Sequence, residues 1–307
     1  MTNIDLQSHM VKTISETFPE GTAWIVRLPE TLKEICDRWH LTPLPAYPDL
    51  SYHYVAPVLC EDGSSAVLKV GVPHDELKLQ IEALTLDEGR GMARLLKSDA
   101  EAGAMLLERL EPGVTLWSLC NEENDAALTE TAALVMRRNR FSAPPTSSLP
   151  TVEKWMQELT RLRGFYGGGT GPFPLSLVEK AEYHVRELLK SAPPSVLLHG
   201  DLHHGNLLSA TRNGVESWLA IDPHGVIGDP AFEPATFLHN PLPLLLSYSD
   251  PRRALQTRLD IFSDVLEIER ERIQGWGIAH AVLATWWGVE DGGEVNLDCL
   301  RCGEWLS

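Results

Sequence analysis

Residues 199–206 read HGDLHHGN, and further along the chain residues 216–222 read ESWLAID. The first segment follows the apolar residues 195–198, so both segments are predicted to lie at the ends of short strands. Phosphoryl transfer needs a carboxylate that orients the acceptor hydroxyl, and oxygen ligands that hold Mg²⁺ on the phosphates. Asp201, Asn206 and Asp222 supply such a set. The two segments therefore indicate a phosphoryl-transfer site.

The same segments resemble the catalytic loop of the aminoglycoside phosphotransferases, distant relatives of the protein kinases. The match extends over LHGDLHHGN and WLAIDPHGVIGDPAFE and is similar to the streptomycin 6-phosphotransferase and hydroxyurea phosphotransferase branch. The resemblance implies an α+β, two-lobed, protein-kinase-like fold that uses ATP and Mg²⁺. It implies that Asp201 is the catalytic base and contacts the acceptor, and that Asn206 and Asp222 bind the metal. Asp-Pro-His replaces the Asp-Phe-Gly of protein kinases, which leaves no Phe to act as a switch.

The first part of the chain is predicted to be rich in strands. Residues 52–60 and 65–71 read as strands around an Asp-Gly turn, which is a strong hairpin signal. A helix follows Pro73 and closes at Gly89, while residues 29–40 read as a helix with Pro29 near its start. Two more strands are predicted at 92–97 and 103–110.

The resemblance assigns nucleotide-binding roles in this region. Lys69 corresponds to the lysine that binds the α- and β-phosphates, and Glu82 to the glutamate that pairs with it. Backbone groups of Glu108 and Leu110 correspond to the hinge that holds adenine. The loop over the phosphates departs from the pattern, because residues 48–53 (PDLSYH) contain no glycine. Ser51 is the candidate phosphate contact there, and the choice between ATP and GTP stays open.

Beyond Pro112-Gly113, a plausible linker, the chain is predicted to be mainly helical. We therefore expect an N-lobe over residues 1–110 and a C-lobe over residues 111–307, with the ligand in a cleft between them. The predicted helices cover residues 122–140, 151–164, 174–190, 231–239, 252–267, 270–288 and 295–305.

The acceptor site is predicted near the C-terminus. Residues 286–292 (WWGVEDG) resemble a tryptophan-plus-acid element of the streptomycin kinases. Carboxylates pair bidentately with guanidinium groups, and tryptophan faces attract cations. By this resemblance, a streptomycin-like cation is the expected acceptor. Its candidate contacts are Trp287, Glu290, Asp291, Asp229 and Glu233. Trp286 and Trp287 have an alternative interpretation as core residues of a helix, and both cannot face the same way.

Charge and cysteine content limit the possible partners. The net charge of −17 repels phosphate backbones and anionic lipids, so we expect neither a nucleic acid nor a membrane partner. The five cysteines do not form a disulfide framework, and no basic segment followed by an apolar run opens the chain, so we expect a cytoplasmic protein. Cys299 and Cys302 form a lone CxxC that lacks a second pair for zinc, and we interpret them as structural.

Other functions remain open from the sequence alone. The acceptor could be hydroxyurea or another small alcohol or amine. A non-catalytic nucleotide-binding protein of the same fold is a second alternative. His199, His203 and His204 with the nearby aspartates could instead serve a metal-dependent hydrolase, but this leaves Lys69 and Glu82 unexplained. The oligomeric state is not predicted.

Overall fold

The computed structural model describes residues 6–48, 50–143 and 146–307, and its chain divides into two compact units. The first unit runs to Gly89 and resumes over Ala93–Glu111; the second comprises Arg90–Met92 and Pro112–Ser307. Residues 90–92, which the sequence placed in the first lobe, belong to the second unit because Met92 forms a bridge with Ala220 and the N–H of Ala220 donates to the carbonyl of Gly91.

An antiparallel sheet of five strands organises the first unit. Its strands are β1 (Thr42–Pro43), β2 (His53–Leu59), β3 (Ser65–Gly71), β4 (Leu95–Asp99) and β5 (Ala104–Glu108), in the order β1-β2-β3-β5-β4. The predicted hairpin between β2 and β3 is confirmed. Its turn is fixed by Gly63 at φ +80° and by the carboxylate of Asp62, which accepts bonds from the N–H and hydroxyl of Ser64 at 2.9 and 2.6 Å.

Two helices, α1 (Ser8–Thr17) and α2 (Gly21–Trp39), pack their apolar faces onto this sheet, and α3 (Asp75–Asp87) follows β3. The prediction that a helix begins near Pro29 is wrong, since α2 begins at Gly21 and carries Pro29 inside it. Trp24, Leu28 and Leu32 are buried along one face, while Pro29 is exposed. We infer that this burial offsets the backbone hydrogen bond that a proline removes from a helix interior.

Short strands of the second unit surround the segments that the sequence singled out. β7 (Val196–Leu198) pairs with β10 (Val226–Gly228), and β6 (Pro112–Thr115), β8 (Leu207–Arg212) and β9 (Val215–Ala220) form a second antiparallel sheet. The HGDLHHGN segment therefore connects β7 to β8, and Asp222 lies between β9 and β10. The prediction of short strands beside both segments is confirmed.

The rest of the second unit is helical, as predicted. Its central helix is α11 (Arg270–Glu290), which packs against several of its neighbours and is buried along most of its length. None of the helices in the described ranges is both long and apolar enough to cross a bilayer. The other helices are α4 (Asp125–Arg138), α5 (Val152–Met156), α6 (Glu158–Phe165), α7 (Leu175–Lys190), α8 (Pro234–Leu238), α9 (Leu242–Leu246), α10 (Pro251–Leu266) and α12 (Leu297–Leu306).

Cys299 and Cys302 are buried free thiols on α12. Burial raises the pKa of the Cys299 thiol to about 11 and that of Cys302 to about 12. A thiol of this kind is a poor nucleophile and a poor metal ligand, because both roles need the thiolate. The environment of the pair agrees with a structural role.

A buried ion pair joins α4 to α10. The guanidinium of Arg258 is fully buried and donates two bonds to the carboxylate of Asp125, one of them at 3.0 Å. Its Nη1 donates to the main-chain carbonyls of Phe237, Leu238 and Asn240 at 3.1, 2.8 and 2.6 Å. Arg258 thus ties two long helices to the C-terminal end of α8 and to the segment just after it.

Replacing this arginine with an apolar residue of similar length tests its role. We expect Arg258→Met to lower the free energy of unfolding by about 3–5 kcal/mol, because a buried carboxylate is left without its partner. Urea denaturation measures the change. Glu267→Gln is the matched control, since Glu267 ends the same helix in an exposed pair with Arg137 and should cost under about 1 kcal/mol. Equal losses in the two variants would show that the buried pair is unimportant.

Candidate active site

The loop between β7 and β8 is folded around the backbone of Asp201. Gly200 adopts φ +83°, a conformation that other residues rarely take. The N–H of Asp201 donates to Nδ1 of His199 at 3.2 Å, and its carbonyl accepts from the N–H of His203 at 3.0 Å and from Nδ2 of Asn206 at 2.9 Å. These bonds fix the position from which the Asp201 carboxylate projects.

His199 connects this loop to the segment that holds Asp222. Its Nε2 bonds to the carbonyl of Ile221 at 2.7 Å, so Nε2 is the donor and Nδ1 the acceptor. Burial lowers the pKa of His199 to about 3, which keeps the imidazole neutral. The N–H of Ile221 donates in turn to the carbonyl of Asn206 at 2.9 Å. Asn206 and Asp222 are thereby brought next to each other, and His199 braces the loop.

Glu233 binds the backbone at the start of the loop between β7 and β8. Its two carboxylate oxygens accept the N–H groups of His199 and Gly200 at 2.7 and 3.2 Å. The side chain is buried, and this burial raises its pKa to about 7. The acceptor contact predicted for Glu233 does not fit this environment, because both oxygens are engaged by the protein backbone.

Asp229 is likewise enclosed by the protein. Its Oδ2 accepts from Nε of Arg272 at 2.7 Å and from the indole N–H of Trp276 at 2.7 Å, and its Oδ1 accepts from the N–H of Ala231 at 3.0 Å. The side chain is only 3% exposed. The predicted acceptor contact of Asp229 is therefore corrected to a structural role, in which it anchors α11 beside the turn before α8.

The carboxylate of Asp201 keeps one third of its surface exposed. Burial raises its pKa, while the imidazoles of His203 and His224, with Nε2 at 3.7 and 3.9 Å, act in the opposite direction. Asp222 also raises this pKa, as a neighbouring negative charge does. No role was predicted for His224; its signal was its place in the Asp-Pro-His that replaces Asp-Phe-Gly.

The donors around Asp201 fit a hard divalent cation. The amide nitrogen of Asn206 donates to the carbonyl of Asp201, which leaves the amide oxygen as the group that could bind a metal ion. Asp222 adopts a left-handed backbone conformation (φ 56°) next to it. One amide oxygen and one or two carboxylates are the protein ligands that Mg²⁺ accepts alongside phosphate oxygens and water.

The histidines do not form a metal centre. Within residues 6–48, 50–143 and 146–307, no three His, Cys, Asp or Glu side chains are arranged to hold a metal ion. His204 is buried with its ring stacked on Phe237 at 3.7 Å, and burial lowers its pKa to about 2. His203 accepts the N–H of Gly205 at 2.9 Å. The hydrogen bonds of His199 and His203 and the stacking of His204 thus help to hold the loop.

The nucleotide residues predicted in the first unit lie on its sheet and on α3. Lys69 is buried in β3, only 3% exposed, opposite Val55 on β2 and Met105 on β5. Lysines are seldom so buried unless they serve a charged partner. Glu82 lies half-buried on α3.

The predicted hinge and phosphate loop are also part of the first unit. The N–H of Glu108 donates to the carbonyl of Arg94 at 2.8 Å, so an adenine contact at this residue would use its carbonyl. Leu110 is buried two residues later. Ser51 is exposed just before β2, and Asp49 of the predicted loop lies outside the described residues.

The two adjacent tryptophans of α11 face different ways. Trp286 is buried in the core, whereas Trp287 is half-buried and meets the ring of Trp155 edge-on at 5.3 Å. Glu290 pairs with Arg161, and the N–H of Asp291 caps α11 on the carbonyl of Trp287 at 3.0 Å. Sequence reasoning missed Trp155, since a lone tryptophan in an amphipathic helix carries no functional signal.

Comparison with known proteins identifies the class. The sequence model of the family described as "Aminoglycoside/hydroxyurea antibiotic resistance kinase" matches residues 38–292. The chain belongs to this family, and it is an antibiotic kinase by descent.

Individual relatives cover most of the chain. It is 34% identical over 283 residues to a streptomycin 6-kinase of Streptomyces glaucescens, and the alignment covers 89% of this chain and 87% of that kinase. It is 33% identical over 285 residues to a hydroxyurea phosphotransferase of Kitasatospora aureofaciens, with 89% and 76% covered. An aminoglycoside phosphotransferase from Streptomyces rimosus, solved with ADP and streptomycin, superposes with a TM-score of 0.55 at 17% identity over 85% of this chain and 98% of that one. The protein-kinase-like fold is thus confirmed.

The buried Glu233 predicts a pH dependence. Its pKa in the folded protein, about 7, lies above the ordinary 4.5, so the folded state holds a proton that the unfolded state releases between these values. This contribution to stability is present at low pH and is lost as the pH rises from about 4.5 to about 7.

We expect Glu233→Gln to remove this part of the pH dependence, because a glutamine does not titrate. Urea denaturation at pH 5 and pH 7.5 measures the difference in unfolding free energy for each protein. Exposed Glu294, replaced by Gln, is the control and should leave the wild-type difference unchanged. A Glu233→Gln protein with the wild-type pH dependence would contradict this assignment.

Proposed function

We propose that this protein transfers the γ-phosphoryl group of ATP to a hydroxyl of a cationic aminoglycoside of the streptomycin type. One observation carries the proposal: Asp201 projects from a braced loop beside Asn206 and Asp222, within a chain that belongs to the antibiotic kinase family. The similarity to a streptomycin 6-kinase supports the choice of acceptor.

In this proposal Asp201 orients the acceptor hydroxyl for attack on the phosphorus and takes its proton. The burial that raises its pKa makes the carboxylate a stronger base than an exposed aspartate. The imidazoles of His203 and His224 lie near the carboxylate and oppose this rise in its pKa. Glu233 and His199 hold the loop so that the carboxylate does not move during the reaction.

The roles proposed for nucleotide binding are taken residue by residue from the family pattern. Lys69 offers its ammonium to the α- and β-phosphates, with Glu82 as the paired carboxylate, and Ser51 is a further phosphate contact. The carbonyl of Glu108 and the backbone of Leu110 hold the adenine. Asn206 and Asp222 would hold Mg²⁺, which would supply positive charge to the phosphates. These roles follow the family pattern at residues that match it.

The acceptor is bound beside Asp201 by Trp287 together with the acids Glu290 and Asp291. Aromatic faces and carboxylates both attract guanidinium groups. The strongly negative chain, with a net charge of −17, favours a cationic acceptor over an anionic one. Its free cysteines suit a reducing compartment, and we propose that the enzyme works in the cytoplasm.

Hydroxyurea is the second candidate acceptor, because a hydroxyurea phosphotransferase is 33% identical to the chain. The two acceptors differ in size and charge. A coupled assay of ADP formation with streptomycin and with hydroxyurea, each at several concentrations, separates them. Acceptor-dependent turnover with streptomycin supports the first choice, and turnover with hydroxyurea alone would replace it.

Asp201→Asn tests the chemistry. We expect kcat with the working acceptor to fall at least about a hundredfold, since the variant keeps the shape but loses the base. The coupled assay measures kcat, and thermal unfolding checks that the fold is kept. Asp298→Asn, at a half-exposed aspartate of α12, is the matched control and should retain wild-type turnover. Near-normal turnover of Asp201→Asn would refute the role of the base.

A further inference from the structure

Two equivalent pairs of residues lie on different helices of the second unit. Trp155 near the end of α5 is followed three residues later by Glu158 in α6, and Trp287 of α11 is followed three residues later by Glu290. Trp287 and Glu290, three residues apart, share one face of α11, and Arg161 contacts both Glu158 and Glu290. The two tryptophan rings meet edge-on with centroids 5.3 Å apart. The pairs therefore face each other, with tryptophan on tryptophan and acid opposite acid.

One end of this surface borders the catalytic base. Trp155 lies so close to Gly200 that a Cβ added there would be 2.8 Å from the ring. The ring also meets His224, with centroids 6.4 Å apart, and the Nε2 of His224 lies 3.9 Å from the carboxylate of Asp201. An acceptor whose hydroxyl lies at the carboxylate of Asp201 would therefore have Trp155 close by.

At the other end, a guanidinium joins the two acids. Arg161 extends one Nη to Oε2 of Glu158 at 2.7 Å and the other to Oε1 of Glu290. Its side chain is 64% exposed, whereas those of Glu158 and Glu290 are 24% and 20% exposed. The side chain of the arginine is thus more exposed to solvent than that of either acid.

The negative charges at this end outnumber the positive one. Glu158 and Glu290 share a single arginine, and Asp291 adds a further negative charge that acts on Glu290. Burial raises the pKa of Glu290, and Glu158 and Asp291 raise it further despite the opposing effect of Arg161. An additional or better-placed cation would thus be favoured here.

We propose that Arg161 occupies the position of a substrate guanidinium: the acceptor displaces it, places its own guanidinium between Glu158 and Glu290 against Trp155 and Trp287, and presents a hydroxyl to Asp201. This inference rests on the proposed function and adds Trp155, Glu158 and Arg161 as residues that determine the acceptor.

The arrangement selects acceptors by length as well as charge. Glu290 lies three residues beyond Trp287, a rise of about 4.5 Å along the axis of α11. An acceptor must therefore span the distance from Asp201 past an indole ring to the acids. A large guanidinium-bearing aminoglycoside does so, while a molecule as small as hydroxyurea does not reach both ends.

The displacement costs little affinity, because exposed ion pairs are weak. Pairs of this kind correspond to about a 1.5- to 5-fold change in an equilibrium constant. The substrate guanidinium regains the same carboxylates and adds contact with the indole rings. Removing Arg161 should consequently tighten binding, whereas a purely structural arginine would weaken it when removed.

Isothermal titration calorimetry on the full chain tests the inference, with streptomycin as the guanidinium probe and kanamycin, which carries only ammonium groups, for comparison. We expect Glu158→Gln and Glu290→Gln each to raise the Kd for streptomycin about tenfold, the loss of one charge-assisted hydrogen bond. Arg161→Gln should lower this Kd by about 1.5- to 5-fold, and Arg161→Lys should stay near wild type. The Kd for kanamycin should change by less than about threefold in every variant.

Arg186→Gln is the control, because Arg186 forms an exposed pair with Glu187 on α7 and should leave both affinities unchanged. Thermal unfolding verifies that each variant is folded, and Arg161→Gln remains decisive if an acid variant is not. Weaker streptomycin binding by Arg161→Gln, unchanged binding by the folded acid variants, or no binding by the wild type would overturn the inference.

The same proteins are assayed for turnover, so that the two proposals fail separately. Streptomycin phosphorylation with a KM that does not respond to Glu158 or Glu290 would leave the proposed function standing without this inference. If the Kd values follow the expected pattern but the bound streptomycin is not phosphorylated, this inference stands and the proposed function fails.

Discussion

The carboxylate of Glu233 accepts the main-chain N–H groups of His199 and Gly200, and the site depends on this contact. Two buried donors would otherwise be unsatisfied at the start of the catalytic loop, which carries a large energetic penalty. His199 extends the constraint through its two ring nitrogens to Asp201 and to Ile221. A single buried acid therefore sets the positions of the base and of the segment that carries Asp222.

This arrangement divides the acids of the second unit by their surroundings. Asp229 and Glu233 are enclosed by bonds to the protein and act as internal anchors, while Asp201 keeps part of its carboxylate exposed beside two imidazoles. Burial and hydrogen bonding thus decide whether a carboxylate stabilises the fold or takes part in the proposed reaction. The acids near the end of α11 form a third group, which pairs with Arg161 in this structure and, in our proposal, with the acceptor.

Several parts of the structure could be predicted because their signals are local. The turn at Asp62-Gly63 needs a backbone conformation that glycine allows, and the hairpin follows from it. The loop at 199–206 is recognisable because its residue types and spacing match a known catalytic segment. The start of α2 could not be predicted this way, because burial of Trp24 and Leu28 against the sheet outweighs the usual effect of Pro29.

The sequence by itself determined the family, the two kinds of unit and the identity of the catalytic and metal-binding candidates, since these depend on residue type and on spacing along the chain. Only the tertiary structure decided which acids are enclosed and which neighbours surround Asp201. Trp155 meets Trp287, and Arg161 joins Glu158 to Glu290, across helices that are far apart in sequence. Such contacts arise from the packing of α11 against the shorter helices, and no pattern within one segment encodes which side chains that packing brings together.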